Sequence, residues 1–170
     1  SLLVRNSAMA VPLFLKALSI DEFRQIAVEG LENWIHYADL TVEQAIHILQ
    51  VAVQLITREE DGEVAIVEGA SEIICELVYQ NAESEVFYQA FCHYLPHLCN
   101  LLARGGERYE DVQVLKPIGS MVLECGELFL GMLLQTPAVL QSLIPAILNL
   151  SSHPDQVIVE LTFNFWTELE

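Results

Sequence analysis

The sequence predicts an all-α chain whose helices pair and stack, and three observations carry that expectation. Apolar residues recur at three- and four-residue steps along nearly the whole length, and no alternating pattern of useful length suggests a strand. Helix-start signals punctuate the chain: Ser19 with Glu22, and Thr41 with Gln44, each have capping-box spacing. Finally, helix pairs starting at Thr41 and near Ser84 are about forty residues apart, within the HEAT/armadillo period. The expected architecture is therefore a HEAT-repeat α-solenoid of antiparallel helix pairs. A closed helical bundle is the rival, but amphipathic pairs without obvious terminal caps favour the solenoid.

Taken in order, the first eighteen residues suit a helix with Pro12 near its start or at a kink. Asp21 to about Tyr37 follows, with Phe23, Ile26, Ala27, Leu31, Trp34 and Ile35 at helical spacing. Thr41 to about Thr57 and Val64 to about Tyr79 form the next two, joined by the charged turn "REEDG". Val86 to about Ala103 precedes the loop "RGGERYED". Helices near Val112–Gln135, Ala138–Leu150 and Pro154–Leu169 complete the chain, and Lys116-Pro117 is a candidate break in the first of these. Four pairs result, approximately 1–37, 41–80, 84–135 and 137–170. A chain that starts without Met and stops within a helical pattern reads as part of a longer solenoid.

The last stretch, "SSHPDQVIVELTFNFWTELE", opens on a tidy helix start. Pro154 suits the first helical position and Asp155 puts negative charge at the positive helix end. Val157, Leu161, Phe165 and Leu169 then form one apolar stripe, and Val159, Phe163 and Trp166 a second. Two stripes predict a helix sandwiched between neighbours.

Composition sets limits on function. The 170 residues are 53% hydrophobic and 18% charged, which rules out a disordered chain. Twenty-four Asp and Glu against seven Lys and Arg give a net charge of −17. A broad basic face for nucleic acid is excluded, because neutralising phosphates needs cations. The acidic balance instead favours basic partners. The uncharged run from Leu128 to Pro154 is long enough to cross a bilayer, but Gln135-Thr136-Pro137 breaks it, and two short buried helices explain it better. Neither a membrane nor direct contact with nucleic acid is expected. Cys75, Cys92, Cys99 and Cys125 lie in apolar helical runs, as small buried hydrophobes do, and without a signal peptide a reducing compartment is expected. Asn149-Leu150-Ser151 is an idle glycosylation tripeptide on this reading.

No constellation supports an enzyme, a cofactor or a metal. In "CHYLPHLC", His93 and His97 are one helical turn apart, but Cys92 and Cys99 point elsewhere and are two turns apart, too far for one tetrahedral ion. No nucleophile elbow occurs, and Arg104–Gly106 is too short to cradle a phosphate. Glu59, Glu60, Asp61 and Glu63 crowd one turn without the spacing of a calcium loop; they are the candidate partner-binding residues, able to receive a basic partner. Trp34 and Trp166 are expected in the core.

Gly119–Trp166 resembles a stretch of the importin-β superfamily (karyopherins), in its transportin-SR branch. The features that carry the likeness are Gly126-Glu127, the leucine-rich run Leu143–Leu150, Ser152-His153-Pro154 and Thr162-Phe163-Asn164-Phe165-Trp166. The last third matches closely; the rest agrees in helical pairing and in details such as Leu31–Ile35. The resemblance implies a nuclear transport receptor that shuttles between cytoplasm and nucleus. It implies binding of Ran-GTP, of Phe-Gly nucleoporins and of basic or arginine/serine-rich protein cargo. It implies packing for the motif itself, with His153 and Pro154 at the helix start, Phe163, Phe165 and Trp166 between repeats, and Asn164 on a neighbouring backbone. The arginine-rich cargo-reading helix of the branch has no counterpart here. A HEAT scaffold outside transport is the alternative.

Overall fold

The structure is a computed structural model that describes residues 2–58, 64–104 and 111–170. Among these residues there is no strand, and the fold is an all-α solenoid of helical repeats. The helices are α1 (Leu2–Leu18), α2 (Arg24–Ile35), α3 (Val42–Thr57), α4 (Val64–Gln80) and α5 (Glu85–Arg104). They continue with α6 (Val112–Leu128), the single turn α7 (Leu130–Leu133), α8 (Pro137–Ser151), and the short α9 (Gln156–Leu161) and α10 (Phe163–Glu168).

These helices form two layers. In one, α1, α3, α5 and α8 stack in that order; in the other, α2, α4, α6 and the α9–α10 segment do the same. Each helix also packs on its partner across the layers, so a continuous core runs between them. Amphipathic pairs produce this arrangement because each pair buries one face internally and the flanks against its neighbours.

Local chemistry sets the boundaries. Thr41 caps α3 with a complete capping box: its hydroxyl accepts from the Gln44 N–H at 3.1 Å, and the Gln44 side chain accepts from the Thr41 N–H at 2.9 Å. Ser19 does not form the box that its spacing with Glu22 suggests. Its hydroxyl donates to the Lys16 carbonyl at 2.6 Å, closing the end of α1, and α2 starts through one 3-10 turn, Asp21–Phe23. The expected break at Lys116-Pro117 is also absent, since α6 runs through Pro117. Proline removes one backbone bond there, while buried Val114, Leu115, Ile118, Met121 and Val122 hold both flanks to the core. The helix stops instead at Phe129, whose ring enters the core against Tyr88 and Phe91, with centroids 5.2 and 5.4 Å away.

The terminal segment differs most from its sequence reading. Pro154 precedes the helix instead of opening it, and Asp155 is the cap, its carboxylate accepting from the Val157 N–H at 2.9 Å. His153 supports this start through Nδ1, which accepts the Asp155 N–H at 3.0 Å. The single helix expected to Leu169 is two, divided at Thr162. The Thr162 hydroxyl, itself buried, donates to the Val159 carbonyl at 2.8 Å and lies 3.2 Å from the Ser151 hydroxyl. Satisfying this buried threonine turns the following residues. The buried positions become Ile158, Thr162 and Phe165, while Phe163 is 56% exposed and does not fill a layer between repeats. Asn164 is also exposed. Trp166 is half-buried, and its indole N–H donates to Ser151 at 2.9 Å. Trp34 is likewise half-buried rather than fully enclosed, packing on Phe14 with centroids 5.3 Å apart.

Candidate acidic docking groove

The second layer carries the feature with the clearest chemical character. On α4, Glu68, Glu72 and Glu76 follow one another at four-residue steps and share a face. On α2, Glu29 and Glu32 stand opposite, and on α6 Glu124 closes the third side. Of these, Glu29, Glu32, Glu68, Glu72 and Glu124 line a groove of about 520 Å³ across α2, α4 and α6. Lys116 is the cation in its lining, and Gly69, Ser71, Cys75 and Met121 contribute to its floor and walls.

Two features keep the glutamates together. Gly69 lets α2 and α4 approach closely, because a Cβ at this position would overlap the Val28 side chain and come within 3.3 Å of the Glu32 carboxylate. At one end, Gln80 Nε2 donates to the Ile35 carbonyl and to Glu76, both at 2.9 Å, tying α4 to the last turn of α2. His36 adds a 3.1 Å contact to the other Glu76 oxygen.

Like charges at four-residue steps repel, so this face is stable only to the extent that water and occasional cations screen it. Burial raises the Glu32 pKa above its ordinary value of 4.5, helped by the charges of Glu72, Glu29 and Glu68 and opposed by His36. Glu127, farther along α6, is raised by burial and then by Glu168 and Glu124. A carboxyl that ionises less readily folded than unfolded favours folding while protonated. That contribution is fully present below 4.5 and is lost as pH rises through the folded pKa. Glu32→Gln is therefore expected to melt above the unaltered chain near neutral pH. The difference should vanish below 4.5, as thermal scans across that range would show.

At the groove floor, Ser71 is 3% exposed and its hydroxyl has no hydrogen-bond partner. Beside it, the Cys75 thiol is held protonated by its hydrogen bond with Cys125 and by burial. All four cysteines are free thiols; Cys99 is buried and its pKa is pushed up to about 12 by that burial.

The candidates read from sequence lie elsewhere or outside. Glu59, Glu60, Asp61 and Glu63 fall outside the described residues. His93 and His97 are exposed, with ring centroids 6.5 Å apart. Among the described residues no group of three or more His, Cys, Asp or Glu is placed to hold a metal, and no helix is long and apolar enough to cross a membrane. Asn149 of the glycosylation tripeptide donates its amide to the Leu102 carbonyl at 2.7 Å, joining α8 to α5. The groove itself was readable in part: "VEGASEIICE" shows glutamates four apart with small residues between them. The stacking that sets α2 and α6 beside that stripe was not.

Comparison with known proteins bears on roughly the last third of the chain. Residues 110–170 match the family described as the Transportin-3/Importin-13 second TPR domain. No curated protein and no solved structure matches the chain. The description names a TPR domain where the spacing suggested HEAT; both are stacks of antiparallel helix pairs. The matched family is one of transport receptors and not of enzymes. The two layers are those of a helical-repeat solenoid, and residues 110–170 within them are similar to a repeat segment of the importin-β (karyopherin) type.

Proposed function

We propose that this chain is a segment of a nuclear transport receptor, one that shuttles between cytoplasm and nucleus and acts by protein–protein binding under Ran-GTP control. The observation that carries the proposal is the match of residues 110–170 to the transportin/importin family. The four helix pairs, 1–37, 41–80, 84–135 and 137–170, are then repeat units of a longer solenoid. Phe-Gly nucleoporins and basic or arginine/serine-rich cargo are the partners of such a receptor. The acidic groove across α2, α4 and α6 supports a docking face for basic partners, because a cationic ligand relieves the repulsion among its glutamates.

The test is a pull-down with the full receptor containing this chain, with and without GTP-locked Ran. Arginine/serine-rich proteins held without Ran and released by it are the expected result for import, and partners gained with Ran would indicate export. A partner set indifferent to Ran overturns the transport reading and leaves a HEAT scaffold in its place.

A further inference from the structure

We infer that this chain associates with itself head to tail, the outward face of α8 in one copy seating in the apolar groove between α1 and α2 of the next. The inference goes beyond the transport reading and does not rest on it. The receiving surface belongs to the first helix pair. Leu13, Phe14 and Ala17 on α1, with Phe23, Ile26 and Trp34 from the α2 side, line a groove of about 520 Å³. Leu13, Phe23 and Ile26 are each more than half exposed. Outward helix faces ordinarily carry polar residues, and large apolar side chains gathered along one exposed groove mark an interaction site.

The inserting surface lies at the other end of the stack. α8 buries Leu143, Ala146, Ile147 and Leu150 in the core. Its opposite side presents Ala138, Gln141, Pro145 and Leu148, all exposed. No residue of α8 is charged, and a helix without a charged face is one built for cover on more than one side. Leu134, just before α8, is more than half exposed, as is Leu148. From Ala138 to Leu148 the stripe runs about 15 Å, and from Phe23 to Trp34 the groove runs about 16 Å, so the helix fits lengthwise. Charge then selects the pairing. A chain of net charge −17 opposes its own association in general. Residues 1–20 run the other way, with Arg5 and Lys16 and no Asp or Glu. Residues 117–170 hold no Lys or Arg, and Glu127 and Asp155 flank α8. Head against tail joins opposite charges, while head against head or tail against tail would join like ones. Such a contact does not close on itself, so the assembly lengthens with concentration.

Sedimentation velocity of the 170-residue chain tests this from about 1 to about 300 µM, at about 0.15 M salt. The expected result is an average mass that keeps rising past the dimer. Two variants block one end each: Leu13→Glu with Ile26→Glu at the head, and Leu134→Glu with Leu148→Glu at the tail. All four positions are exposed, so circular dichroism should show helix content and melting unchanged. Each variant alone should associate at least about tenfold more weakly than the unaltered chain. Mixed in equal amounts, the two should form a heterodimer and stop there, because each pair then has one intact head and one intact tail. An unaltered chain that stays monomeric throughout would overturn the inference. So would either blocked variant pairing with itself as tightly as the unaltered chain, or folded variants that remain monomeric when mixed. Each of those results leaves Ran-dependent release by the receptor untouched, so the two proposals fail separately.

Discussion

Truncating Phe165 to alanine is expected to lower stability by about 3–5 kcal/mol, while Phe163→Ala changes it by no more than ~0.5 kcal/mol. The two rings are two residues apart in one short motif, yet Phe165 is 0% exposed and Phe163 is 56% exposed. The Phe165 ring lies against the backbone of Gly126 on α6, where an added Cβ would sit 3.2 Å from it, and its centroid is 5.9 Å from that of Trp166. Removing it empties a close-packed space that α6 and α10 cannot refill without moving. Denaturant unfolding of the two variants checks the contrast. Equal losses at both positions would mean that α10 does not turn at Thr162 as described.

Gly69→Ala is the second large effect, and its sign is the informative part. In an exposed helix this change stabilises by up to about 1 kcal/mol, because alanine orders more easily than glycine. Here the new methyl overlaps the Val28 side chain on α2, which already packs onto the bare Gly69 backbone. Overpacking of this kind costs about 1–3 kcal/mol, so the net result is a loss, with a fall in Tm of a few degrees. Adding Val28→Ala removes the overlap, and the double variant should be more stable than the sum of the two single changes allows. A gain in Tm from Gly69→Ala alone would show that α2 and α4 have room to part.

The individual helices were largely legible, because their causes are local. The Thr41–Gln44 box declares itself over four residues, and the stripe Ala45, Ile48, Leu49, Ala52 marks the buried face of α3. Local reasoning failed where a side chain had a competing partner. Ser19 had the spacing of a cap, but its hydroxyl donates back to the Lys16 carbonyl at the end of α1 instead of accepting from the next helix. Phe163 belonged to a plausible apolar stripe until the buried Thr162 hydroxyl set the turn. The candidate site was less legible for a different reason. Within α4 alone, Glu68, Glu72 and Glu76 are a solvated face; only stacking against α2 and α6 makes Glu68 and Glu72 one wall of a groove with Ser71 beneath it. That placement depends on residues about forty apart.

The stacking order has one more consequence. Because each helix packs chiefly against its partner and the next helices along, strain is passed from pair to pair like load along a coil spring. The groove straddles three consecutive turns of that spring. A ligand gripping α2, α4 and α6 together would act as a clamp on its bending, and any force that bends the coil would open or close the clamp. Occupancy and curvature are then two readings of a single reciprocal coupling.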